Sequence, residues 1–286
     1  GQSTTTVSTE PVDIVLVLDV SGSMDDPMTQ YSAVYKLDTG ESYYVKVNGK
    51  YQRVRWSGWY ESWGYGWELD WHSYAPKTAP DDANQNHVQF YQLITSSQKK
   101  IDSLKSAVYS FIDSVNEKSP DSKIAIVKFA GNKTNKIGND TYRRYTYNYS
   151  QIVKKLTSAS DKTTLKNAIN ALRPAGATHS DYGMELAKTV IDSANDNNKK
   201  VVIMFTDGEP TSGQYFEDTV ANSAISASKS IKDSGATVYT IGVFGGADGT
   251  PVNNWNGVSD TNKYMHLVSS NYKNATSMTN AGTATY

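Results

Sequence analysis

Val12-Asp-Ile-Val-Leu-Val-Leu-Asp19-Val-Ser21-Gly-Ser23-Met24 joins an unbroken apolar run to a carboxylate and two hydroxyls. The run from Ile14 to Leu18 is short and consists of β-branched residues and leucine, the pattern of a strand buried on both faces. It ends in Asp19, and Ser21 and Ser23 follow at alternate positions with Gly22 between them to permit a tight turn. Hard oxygen donors packed this densely suit a hard cation such as Mg²⁺. Open α/β sheets place their ligand sites at the carboxyl ends of their strands, where this cluster falls.

One carboxylate and two hydroxyls cannot hold a divalent ion alone, and two later segments supply more oxygen. Pro174-Ala-Gly-Ala-Thr178-His-Ser-Asp-Tyr-Gly183 puts a hydroxyl in a glycine-containing loop ahead of a helix pattern. Val201-Val-Ile-Met-Phe-Thr206-Asp207-Gly208-Glu209-Pro210 repeats the first logic of buried strand, carboxylate and glycine. Taken singly, Asp19, Ser21 and Asp207 are also good cap and turn residues. Together they can converge on one point above a sheet. Aspartyl-phosphate chemistry also begins with Asp after a first strand, but it calls for a second acid two positions on, where this chain has Ser21.

In this order, D-x-S-x-S, then a loop Thr, then T-D-G resembles the metal-ion-dependent adhesion site of von Willebrand factor A-type domains. The resemblance runs from about Val12 to about Val268, interrupted by one large insertion. It implies that Ser21, Ser23 and Thr178 are hydroxyl ligands and that Asp19 and Asp207 are carboxylate ligands, direct or through water. The implied cofactor is a divalent cation, Mg²⁺ first, with Mn²⁺ and Ca²⁺ as alternatives. The implied activity is adhesion without catalysis: a partner's carboxylate fills an open coordination position on an ion that neutral hydroxyls leave electron-poor.

The rest of the chain alternates strand and helix signals. Val12 to Leu18 and Lys123 to Phe129 read as strands, as do Lys200 to Phe205, Thr237 to Phe244 and Tyr264 to Val268. Helical spacing marks Ser97 to Glu117, Asp161 to Leu172, Asp181 to Asn195 and Phe216 to Ser234. The expected fold is α/β, a doubly wound, mainly parallel central sheet with helices on both faces. Residues 1–11 form a polar lead-in, 12–268 the A-type domain, 27–96 an inserted arm within it, and 269–286 a C-terminal tail. That tail shows no helical apolar stripe where the family usually has a closing helix.

The inserted arm holds Trp56, Trp59, Trp63, Trp67 and Trp71, five of the six tryptophans. Tyr43 to Val54 reads as a hairpin closed by Asn48-Gly49, and Pro76 to Asp82 as a polar return linker. Most of these aromatics are expected to form the arm's own core. Some are candidates for a contact surface, since aromatics dominate interface hot spots and stack on sugars. Insertions here resemble those in tip adhesins of Gram-positive pili. Gly131 to Ser150 is a second elaboration, an Arg–Tyr ribbon that suits an acidic partner or a solvated β-ribbon equally.

With 286 residues and 38% hydrophobic content, the chain can bury one substantial core. A net charge of −1 gives no attraction to nucleic acid or an anionic membrane, and no run is long enough to insert in a bilayer. Cysteine is absent, which excludes a disulfide-stapled fold and fits a bacterial surface protein. The chain begins at Gly1 without a signal peptide and is expected to be a piece of something larger.

The expectation is therefore an extracellular module of a bacterial cell surface or pilus. Its expected partner is a host matrix or plasma protein of the fibrinogen, fibronectin or collagen class, with glycans as a further possibility. The alternative is a carbohydrate-binding module in which the Trp-rich arm binds and the metal is structural. A hydrolase would need a general base near the ion, and only the loop acids Asp25, Asp26 and Glu209 are close in sequence.

Overall fold

The computed structural model describes residues 10–47, 49–56, 67–69, 89–136 and 138–286. In chain order the strands begin with β1 (Val12–Asp19), β2 (Pro27–Val34), β3 (Ser42–Val47), β4 (Lys50–Trp56), β5 (Trp67–Leu69) and β6 (Phe90–Lys99). Helix α1 (Lys100–Lys118) leads to β7 (Lys123–Phe129), the ribbon β8 (Asn139–Tyr142) and β9 (Tyr145–Asn148), and β10 (Gln151–Ser158). Then come α2 (Lys162–Asn170), α3 (Ser180–Ser193), β11 (Lys199–Thr206), α4 (Asp218–Asp233), β12 (Thr237–Gly242) and α5 (Asp260–Val268).

The chain divides into two compact units, one of residues 1–27, 98–243 and 264–286, the other of residues 28–97 and 244–263. The first is built on a five-stranded sheet ordered β10-β7-β1-β11-β12, in which only the edge strand β10 is antiparallel. Its central strands are sealed on both sides, with Ile14 to Leu18 buried throughout, as the unbroken apolar run predicts. From β1 the chain steps outward one way through α1 to β7, and from β11 the other way through α4 to β12. Right-handed crossovers taken in opposite directions put α1 and α4 on opposite faces of the sheet. Helix α2 packs with α1, and α3 packs with α4.

Gly183 shows how tightly α3 sits on the sheet. A Cβ there would lie 2.8 Å from Phe129 Cδ1 and 2.9 Å from Val17 Cγ1, so only a glycine permits this approach.

Two sequence expectations need correction. Tyr264 to Val268 is not a strand but part of α5. Its Tyr264, Met265, Leu267 and Val268 are all buried, so the five residues carried no period, and the sheet already ends at β12. The helix expected from Ser97 starts at Lys100, because 97–99 belong to β6. Strand β10 was not foreseen.

The second unit is a sheet ordered β2-β6-β3-β4-β5. The hairpin expected at Tyr43 to Val54 is present as β3 and β4, paired from Ser42↔Arg55 to Val47↔Lys50. Leu37, Tyr43, Val45, Val54, Trp67 and Phe90 make its core. Segment 244–263 also belongs to this unit, although nothing in its sequence ties it to the arm. The linker expected at Pro76 to Asp82 lies outside the described residues.

Candidate metal site

Asp19 is the last residue of β1 and Thr206 the last of β11, so Asp207 follows directly from the neighbouring strand. Asp19 is fully buried and accepts three hydrogen bonds. The Ser21 N–H donates to Oδ1 at 2.8 Å, while Oδ2 receives the Thr206 hydroxyl at 2.9 Å and the Asp207 N–H at 3.2 Å. The Ser21 and Ser23 hydroxyls lie 3.2 Å apart. Four of the five predicted residues are thus joined by direct hydrogen bonds.

Thr178 enters through the backbone. Its N–H donates to Thr211 O at 2.9 Å and its carbonyl accepts from the Thr211 N–H at 3.1 Å, a two-residue bridge that clamps its loop to the segment after Asp207. The same loop meets the first motif where Gly22 N–H donates to Gly176 O and Ala175 N–H donates to Val20 O, each at 2.9 Å. Gly176 sits at φ 117°, a conformation that side chains disfavour. Thr178 is buried, yet its hydroxyl has no hydrogen-bond partner among the described residues.

The charge balance is uneven. Burial, and next the charge of Asp207, hold the Asp19 carboxyl well above the usual carboxylate range. Facing the pair is the Lys100 ammonium, 3.4 Å from Asp207 Oδ2. Two buried carboxylates, two serine hydroxyls and a threonine hydroxyl form an all-oxygen donor set that fits a hard divalent cation. Among the described residues no group of three or more His, Cys, Asp and Glu could hold a metal, so this donor set rests on two carboxylates supplemented by hydroxyls.

The other predicted residues fall elsewhere. Trp67 is 2% exposed and sits in the second unit's core, edge-on to Tyr43, Trp56 and Phe90. Its ring is closed off from any ligand, which corrects its candidacy as a contact residue. Trp56 is half-buried against it, and Trp59, Trp63 and Trp71 lie outside the described residues. Asp25 is an exposed partner of Lys99 at 2.8 Å, and the Glu209 carboxylate accepts the Phe216 N–H. His179 pairs with Asp181 at 3.1 Å and stacks on Tyr182.

Three contributors were not anticipated. Lys100 was read only as part of a helix start. Asn148 donates from Nδ2 to Val20 O, Arg173 O and Ala175 O, tying the ribbon to two site loops. The buried Tyr264 hydroxyl bonds Ser180 Oγ at the start of α3, two residues past Thr178, and burial raises its pKa. A buried tyrosine whose hydroxyl needs a partner was the available signal for the last.

No curated protein matches the sequence. Among solved structures, the pilus adhesin SpaC from Lactobacillus rhamnosus GG is 17% identical with a TM-score of 0.50, covering 96% of this chain and 29% of that one. The PilB minor pilin from Streptococcus sanguinis is 13% identical with a TM-score of 0.46, over 90% and 53% of the two chains. BatB from Bacteroides thetaiotaomicron is 14% identical with a TM-score of 0.42, over 81% and 66%. The chain therefore spans less than two thirds of the length of each of these three proteins. At these identities the likeness concerns the fold. A family model described as von Willebrand factor type A domain matches residues 94–282, two thirds of the chain, which hold every strand of the first sheet except β1, and the protein belongs to that family.

Proposed function

We propose that this chain is a cation-dependent adhesion module of a bacterial surface or pilus protein, acting by binding and not by catalysis. The observation that carries the reading is the convergence of Asp19, Ser21, Ser23, Thr178 and Asp207 from three loops, with the Thr178 hydroxyl engaged in no hydrogen bond among the described residues. Asp19 orients the first loop through Ser21 and the third through Asp207. Ser21, Ser23 and Thr178 contribute oxygens without adding charge, so the site's two carboxylates do not saturate a divalent ion. Mg²⁺ is the proposed cation, and when bound it offers an open position to a carboxylate of a partner protein. SpaC, whose fold this chain shares, is described as a pilus adhesin, which supports the surface location; the proposed partner is a host matrix or plasma protein.

The test is binding to immobilised matrix proteins and glycans in Mg²⁺ and in EDTA. Protein binding that vanishes on chelation supports the proposal. Binding indifferent to chelation refutes it and favours an aromatic, sugar-binding arm.

A further inference from the structure

A cavity of about 600 Å³ lies behind the β8–β9 ribbon in the first unit, bordered by Lys128, Arg173, Asn148 and the apolar Ile152, Val153 and Leu172. Two cations line it and no carboxylate does. Arg173 is accounted for in part, since its Nη1 donates to Asn170 O and Leu172 O at 2.7 and 2.8 Å at the end of α2. Lys105 caps the same carbonyls at 2.9 and 2.8 Å and adds a third positive charge nearby. Those contacts leave Arg173 Nε and Nη2 without partners among the described residues.

Lys128 is not accounted for in that way. It is the penultimate residue of β7, half-buried, and its ammonium has one neighbour, the Asn148 amide oxygen at 3.3 Å. None of Lys105, Lys128 and Arg173 forms an ion pair with a carboxylate among the described residues. A cation partly withdrawn from water with one long neutral contact is disfavoured, and burial accordingly lowers its pKa. Such a group facing a cavity is a candidate for binding an anion.

We propose that this cavity is a second ligand site, which takes a small organic carboxylate between Lys128 Nζ and the free edge of Arg173. The apolar body of the ligand lies on Ile152, Val153 and Leu172. The planar guanidinium edge matches a carboxylate, and the apolar lining selects an organic acid over a bare inorganic anion. The site uses none of the proposed cation ligands and stands independently of the adhesion reading.

Titration of the whole chain with 4-methylpentanoate, followed by chemical shifts of the Asn148 side-chain amide, tests this. The neutral 4-methylpentanamide and inorganic sulfate serve as comparison probes. Saturable binding of the acid, without the amide and with sulfate weaker, is expected. Lys128→Met should weaken it about tenfold or more, while Lys155→Met, an equal change of charge at an exposed position of β10, should not. Lys128→Met replaces a half-buried ammonium with an apolar chain, so its melting temperature should equal or exceed the parent's, separating lost binding from lost fold. Equal binding of acid and amide, sulfate binding as tightly as the acid, no saturable binding, or undiminished binding by Lys128→Met overturns the proposal.

Discussion

The Lys100 ammonium stands 3.4 Å from Asp207 Oδ2, with only 14% of the lysine side chain exposed. Among the described residues it is the lysine that forms an ion pair with a proposed ligand, placed there because α1 begins at that residue. A divalent ion entering the cluster meets this charge at close range. Lys100→Met should therefore tighten Mg²⁺ binding several-fold, on the order of 1 kcal/mol after solvent screening. Calorimetric titration of both proteins decides it, and equal or weaker binding by the variant would show that Lys100 does not compete.

Thr178→Ala removes a hydroxyl that bonds to nothing among the described residues. Its backbone bridge to Thr211 needs no side chain. Folding stability should stay within about 0.5 kcal/mol of the parent, while Mg²⁺ affinity and chelation-sensitive adhesion fall at least about tenfold, roughly one lost ligand's worth. Urea denaturation and cation titration on the same sample separate the two. A loss of stability matching the loss of affinity would mark Thr178 as structural.

Gly183→Ala is expected to destabilise by about 1–3 kcal/mol, since the new methyl meets Phe129 and Val17 at under 3 Å in a filled core. Both neighbours are fully buried and have nowhere to retreat. An unchanged denaturation midpoint would mean that α3 can lift from the sheet at no cost.

The contribution of Lys232 to stability should rise as pH climbs from about 7.5 to about 9.5. Burial pulls the Lys232 ammonium down to about 8, although it donates to Leu267 O and Tyr272 O at 3.0 Å. Between that value and the ordinary lysine pKa the unfolded chain binds more protons than the folded one, so folding gains with pH, by about 1–2 kcal/mol over this range. Lys105 and Lys128, also lowered by burial, act with the same sign. Buried Tyr264 and Tyr272, the latter pushed up to about 12, oppose it only once unfolded tyrosines ionise, above about pH 10. Denaturant melts of the parent and Lys232→Met check this, and an equal slope in both would remove Lys232 from the account.

The parts of this structure legible in the sequence are those where one face or one chemistry is unmixed. Strands β1, β7 and β11 are buried on both sides and read as runs, and Asp161, which accepts the Thr164 N–H, announced α2. The hydroxyl and carboxylate motifs could be found because their spacing is fixed by strand ends. Strand β10 escaped because Lys154 and Lys155 interrupt its half-buried Ile152, Val153 and Leu156, which leaves neither a run nor an alternation. Lys100 and Asn148 escaped for another reason. Their roles exist only after loops far apart in the chain have met, and no local pattern encodes such a meeting.

That distance has a consequence in time. Asp19 and the residue whose N–H it holds, Asp207, are separated by 188 positions. At a synthesis rate of about 5–20 residues per second, the first carboxylate emerges roughly 10–40 seconds before the second exists. For all of that interval the growing chain carries Asp19, Ser21 and Ser23 as an ordinary polar segment with no capacity to sequester an ion. The cluster is complete only when β11 has docked beside β1, so binding of the proposed cation would be a late event that certifies a finished sheet, and a truncated or half-folded chain would never acquire it.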